Sequence, residues 1–189
     1  IIEKECEYKI SEKSMDILSN KRCYLSLPIE FSKDDSWKHE VKNVLVNTFK
    51  LKLLDPTDDP KQQITEEIKE CRKNRDFDRL HELSKIFVKK DLAIVDRADL
   101  IVAYVPSGVC TTGVVHEIIN SSNAKKLTLL VEGTDKAKIS IWYHGFIKHR
   151  FMFGSWNDLY KFLESINNGE YIKDDKLFFL YNYPDVWLS

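Results

Sequence analysis

Apolar positions along this chain alternate between runs that suit strands and spacings that suit helices. Leu100 to Val105, LIVAYV, is continuous, apolar and rich in β-branched residues, so it reads as a strand buried on both faces and stopped at Pro106-Ser107-Gly108. Arg22 to Leu27, Leu51 to Leu54 and Lys126 to Val131 read as further strands, and Lys138 to Trp142 as a fifth. Between them the period changes. Asp34 to Phe49 places Trp37, Val41, Val44, Leu45 and Thr48 on one helical face. Gln62 to Val95 is long and charged, with a break near Asn74 to Asp76 that divides it into two helices. Val114 to Ser121 can run as helix from a Thr/Gly start, and Ser155 to Ile166 is a closing helix with a serine cap. Residues 1 to 20 are polar with scattered apolar positions, including a short helix around Glu12 to Leu18.

Strands alternating with helices predict an α/β fold. The expected form is one doubly wound, flavodoxin-like or Rossmann-like domain with a mostly parallel five-stranded sheet over residues 21–168, preceded by an extension, 1–20, and followed by a tail, 169–189. The tail carries Phe178, Phe179, Tyr181, Tyr183 and Trp187, too apolar to be left in water. It must pack on its own domain or on a neighbouring subunit. A chain of 189 residues can bury a core of that size.

Charge removes several classes of partner. With 29 basic against 30 acidic side chains, nothing favours a nucleic acid or an acidic membrane. No run approaches the length of a membrane span, and IIEKECEYKISEKS lacks a signal peptide's apolar core. Cys6, Cys23, Cys71 and Cys110 are scattered without paired metal-ligand spacing, which favours reduced thiols and a cytoplasmic location. His144 and His149 match no zinc helix motif, so chemistry here is expected from side chains alone, with no metal and no cofactor.

The segment from Asp91 to Glu117 concentrates that chemistry. Thr111-Thr112-Gly113 offers hydroxyls and an unobstructed backbone where a helix begins after a strand, a place suited to an anion or a sugar hydroxyl. Glu117 follows near the start of that helix, where a carboxylate also serves the helix dipole. Asp91 lies four after Phe87 and three before Ile94, on or beside the stripe formed by Leu80, Leu83, Phe87, Ile94 and Val95. A charge there is costly unless it is used or paired. Periodicity alone leaves open an active-site role and a helix-end Asp solvated or paired with Arg97. The acidic loop Asp55 to Pro60 lies at the carboxyl end of a strand and could border the site, although Asp58 and Asp59 suit a solvated turn.

These residues resemble the nucleoside 2-deoxyribosyltransferase superfamily, which also includes hydrolases of nucleoside 5′-monophosphates. The resemblance rests on Tyr24-Leu25-Ser26-Leu27-Pro28-Ile29 as a first strand end, on Asp91-Leu92 followed by Ala98-Asp99, and on a hydrophobic strand before Gly113 and Glu117. It covers roughly residues 22 to 166. It implies Glu117 as nucleophile, Asp91 as the assisting acid and Tyr24 as the residue that orients Glu117 or holds the sugar. It also implies a substrate-binding surface from Pro28, Asp99, Thr111, Thr112 and Gly113, a nucleoside or nucleotide substrate, and a homo-oligomer that shares its sites. Leu27 stands where the family usually has Gly, and TTGVVHE replaces the commoner turn before the Glu. Thr111 falls where the transferases tend to carry an acidic residue and the monophosphate hydrolases a hydroxyl, which leans toward a 5′-phosphate.

Two carboxylates suit this chemistry. Cleaving an N-glycosidic bond builds oxocarbenium character that an ionised Glu117 can stabilise or trap, while the leaving base needs a proton that a buried Asp91 could give. A second base as acceptor makes a transferase; water makes a hydrolase. The alternative is a nucleotide-binding or sensing module of the same fold whose altered turn has lost turnover.

Overall fold

The chain is described here by a computed structural model, for residues 15–28, 36–56, 63–106, 111–133 and 135–171, with 173, 174, 177 and 180. Its strands are β1 Arg22–Ser26, β2 Lys52–Leu54, β3 Leu100–Tyr104, β4 Leu127–Val131 and β5 Met152–Phe153. The helices are α1 Ser36–Asn43, α2 Gln63–Asn74, α3 Phe77–Arg97, α4 Thr112–Asn123, α5 Ile141–Phe146 and α6 Trp156–Asn167. All five strands are parallel, in the order β2-β1-β3-β4-β5. This is the flavodoxin-like α/β architecture, and its winding reverses between β1 and β3.

Burial explains why the strands read so plainly. Leu100, Ile101, Val102 and Ala103 are wholly buried, as are Leu129, Leu130 and Val131, because helices cover both faces of the sheet. Residues in register on parallel strands share a face, so Tyr24, Ile101 and Thr128 point the same way. Thr128 shares a 2.8 Å hydrogen bond with Ser121 of α4, which identifies that face as the one α4 covers. On the other face Tyr104 meets Trp37 of α1 at 4.9 Å and Trp156 of α6 at 5.5 Å between ring centroids.

The break between α2 and α3 falls where composition placed it. Arg75 adopts φ +57°, and the Asp76 carboxylate accepts from the Arg79 amide at 3.0 Å, capping α3. The helix after β1 widens in its last turn, Val44–Thr48, where the Phe49 amide reaches back to the Val44 carbonyl at 3.3 Å.

The fifth strand is a correction. Lys138 to Trp142 does not pair in the sheet: Lys136–Lys138 is a 3-10 turn, and α5 starts at Ile141 with Trp142 on its exposed side. The edge strand is Met152–Phe153 instead. A stretch as short as Lys-Ile-Ser-Ile-Trp fits strand and helix equally, whereas a two-residue strand has too few positions for any period.

The margins of the domain carry packed residues. Ile17 to Asn20 forms a turn, and Glu12 to Ser14 of the expected helix lie, with the rest of residues 1–14, outside the described residues. Leu18 is fully buried, and its amide donates to the Asn167 side chain at 2.8 Å. Beyond α6, Tyr171 packs on Phe162, and Leu177 and Leu180 are buried in the domain's own core. Phe178, Phe179, Tyr181, Tyr183 and Trp187 lie outside the described residues, as do Cys6 and Cys110. Among the described residues no helix is long and apolar enough to cross a membrane.

Lys126 closes α3 from a distance. Its ammonium donates to the carbonyls of Val95 at 2.8 Å and Ala98 at 2.9 Å, and to that of Asp96. These are carbonyls at a helix end, where a cation also meets the negative pole of the dipole. Lys126→Met keeps the stem and removes the donors, so we expect a loss of about 1–2 kcal/mol in chemical denaturation. An unchanged unfolding midpoint would show that water replaces the ammonium at no cost.

Candidate functional site

The site lies where the chain's topology changes direction, at the carboxyl ends of β1 and β3, and α4 forms its wall. Tyr24 and Ser26 alternate on the α4 face of β1, and both are fully buried. Glu117 enters from the second turn of α4. The Tyr24 hydroxyl donates to Glu117 Oε1 at 2.7 Å, and the Ser26 hydroxyl donates to Oε2. Each oxygen of one buried carboxylate is therefore held by a strand hydroxyl.

Electrostatics sharpen this geometry. Burial pushes the Glu117 carboxyl up to about 7; the hydrogen bonds from Ser26 and Tyr24 pull the other way, and the charge of Asp91 adds to the rise. Tyr24 is held firmly as a phenol, first by burial and then by the charge and hydrogen bond of Glu117, with Asp91 and Asp55 contributing. These influences place Asp91 and Asp55 within electrostatic reach of the same hydroxyl.

Asp91 is buried on α3, on the same side of the helix as Leu83 and Val95. The stripe read from periodicity is the one the helix buries, and the carboxylate sits on it. Thr111 is the N-cap residue of α4, with no capping bond from its side chain, and the helix begins at Thr112, two residues before the expected Val114. The hydroxyl is thus not engaged in the capping that its position suggested. Gly113 is exposed, and a Cβ there would meet no heavy atom within 4 Å. Packing does not require glycine at this place; the space beside it is open. Pro28 is buried just past β1.

The structure does not bring Asp99 to this cluster. Asp99 precedes β3, at the amino end of the sheet, where it accepts from the Arg22 amide at 2.7 Å and from its guanidinium at 2.8 and 3.2 Å. Burial lifts the Asp99 carboxyl, but the hydrogen bonds and charge of Arg22, with Lys21, outweigh it and hold the group below its ordinary value. Its role here is to tie β1 to the start of β3.

Two residues of the cluster carry no role in the sequence reading. Ser26 was signalled by strand period, since a side chain two residues from Tyr24 shares its face. Asp55 opens the acidic loop after β2 and lies 2.7 Å from the Lys42 ammonium, with its side chain only 2% exposed. Loop composition pointed to that stretch; only the fold shows that Asp55 comes within electrostatic reach of Tyr24.

No known family profile matches the sequence, and no curated protein matches it significantly. Solved structures do. The 2-deoxyribosyltransferase of the psychrotolerant bacterium Bacillus psychrosaccharolyticus is similar with a TM-score of 0.51 at 18% identity, over 73% of this chain and 89% of that one. The 2-desoxiribosyltransferase from Leishmania mexicana is similar with a TM-score of 0.52 at 14% identity, over 77% of this chain and 97% of that one. At such identities the likeness is one of fold: this chain is built as those two enzymes are, and its chemistry has to be argued from its own side chains.

Proposed function

We propose that this protein cleaves or exchanges the N-glycosidic bond of a nucleoside or nucleoside 5′-monophosphate, with Glu117 as the nucleophile. The observation that carries this reading is the grip of Tyr24 and Ser26 on both oxygens of a buried carboxylate, with Asp91 close by. The fold shared with two deoxyribosyltransferases supports it.

In this mechanism a Glu117 oxygen attacks the anomeric carbon as the bond to the base breaks. The electron pair of that bond goes to the base nitrogen, which takes a proton from Asp91. A water molecule or a second base then attacks the same carbon and returns its proton to Asp91, and Glu117 leaves as the carboxylate. Tyr24 orients Glu117. Thr111 and Thr112, with Gly113 beside open space at the start of α4, suit the sugar's 5′ side, and a hydroxyl there tolerates a phosphate that a carboxylate would repel.

A panel of nucleosides and 5′-monophosphates, with and without a free acceptor base, tests the reading by base release. The nucleophile must be ionised while burial holds its midpoint near 7, so the acid limb of kcat/KM is expected to climb about tenfold per pH unit below neutrality. Binding of these compounds without turnover would instead identify a nucleotide-binding module. A profile flat from pH 5 to about 8 would remove Glu117 from the role of nucleophile.

A further inference from the structure

Glu117 is held from two directions by one rigid element. Tyr24 and Ser26 both belong to β1, which is paired with β3 from Cys23 to Ser26, so the backbone that carries both donors cannot shift without disturbing the sheet. A glutamate reaching from a helix has three side-chain torsions. One hydrogen bond fixes a point on the carboxylate and leaves its plane free to turn, whereas a second bond to the other oxygen fixes the plane. Ser26 provides that second bond. Its side chain is fully buried, and Glu117 Oε2 is its described hydrogen-bond partner.

On the reading that Glu117 is the nucleophile, we propose that Ser26 is a positioning residue for the reaction, fixing the plane of the Glu117 carboxylate together with Tyr24. Ser26 itself need not touch the substrate. When the glycosyl–enzyme bond forms, charge leaves the carboxylate and both hydrogen bonds weaken. When that bond breaks, they strengthen on the departing oxygens, so Ser26 acts on turnover and not on substrate affinity. The same hydroxyl opposes burial by favouring the ionised form, an effect separable from shape.

The test compares Ser26→Ala and Ser26→Cys with the parent protein. Cysteine keeps nearly the volume of serine but is a weak donor, so the pair separates hydrogen bonding from packing. The Glu117 carboxyl is followed by carbon NMR of protein labelled at the glutamate side-chain carboxyl, with Glu117→Gln to assign its resonance, alongside kcat and KM across pH. In both variants the Glu117 midpoint and the acid limb of kcat/KM are expected to rise together by about one unit. Turnover at neutral pH is expected to fall about tenfold, with KM changed less than about twofold.

A midpoint unmoved in Ser26→Ala overturns the proposal, as does a rise in the alanine variant that cysteine does not reproduce. If the parent protein turns over none of the panel, the functional reading fails, while the NMR titration still decides whether Ser26 governs Glu117.

Discussion

Glu117→Ala is expected to lower kcat/KM for base release by about a thousandfold or more while ligand binding persists, because it removes the group that meets the anomeric carbon and leaves the walls of the site in place. The size follows from the cluster's construction. Tyr24 and Ser26 donate their hydroxyls to the Glu117 oxygens, and a methyl group offers them nothing to orient. Asp91 could still protonate a leaving base, but without a nucleophile or a negative charge across the ring the developing cation has no partner. Single-turnover base release by the alanine variant, compared with the parent at pH 8, is the measurement. Retention of a tenth or more of the parental rate would mean that the reaction runs without Glu117, and Asp91 would then be the first carboxylate to reconsider.

Much of this site could be read from the chain because its parts lie on strongly patterned elements. The buried strand Leu100–Tyr104 and the stripe of α3 are regular enough that spacing put Asp91 on or beside the stripe, and the fold shows that it is buried there. Tyr24 and Glu117 were linked by resemblance, and strand period extends the argument to Ser26. What could not be read depends on contacts between elements distant in sequence. Asp99 lies eight residues after Asp91 in sequence, yet it ends at the other end of the sheet, bound to Arg22, because α3 ends at Arg97 and the chain turns there into β3. Asp55 comes near Tyr24 because β2 is short and pairs beside β1, a matter of register that no local pattern encodes. The misplaced edge strand has the same origin: Met152 and Phe153 join the sheet because β4 offers them an edge, not because two residues carry a period.

The carboxylate that would perform the chemistry should also weaken the fold, and Glu117→Gln should reveal by how much. The folded-state midpoint of Glu117 is raised to about 7 from the ordinary 4.5, chiefly by burial. Between these values the folded protein holds a proton that the unfolded chain has released, so stability falls as pH rises from about 4.5 to 7 and stays low above it. At about 1.4 kcal/mol per unit the whole interval is worth about 3 kcal/mol. Glutamine matches the protonated acid in shape, accepts from one hydroxyl and donates to the other, and does not titrate. The difference in unfolding free energy between Glu117→Gln and the parent should therefore widen with pH across this window, in favour of the variant, and be flat on either side. Groups shifted the other way, such as Asp99, are common to both proteins and cancel in the difference. Denaturation curves for the two proteins at matched pH values from 4 to about 9 provide the comparison; curves that run parallel would mean that the buried carboxylate ionises without cost. A variant both inactive and more stable above pH 7 is the pattern expected where a buried charge is retained for catalysis and the surrounding fold bears its cost.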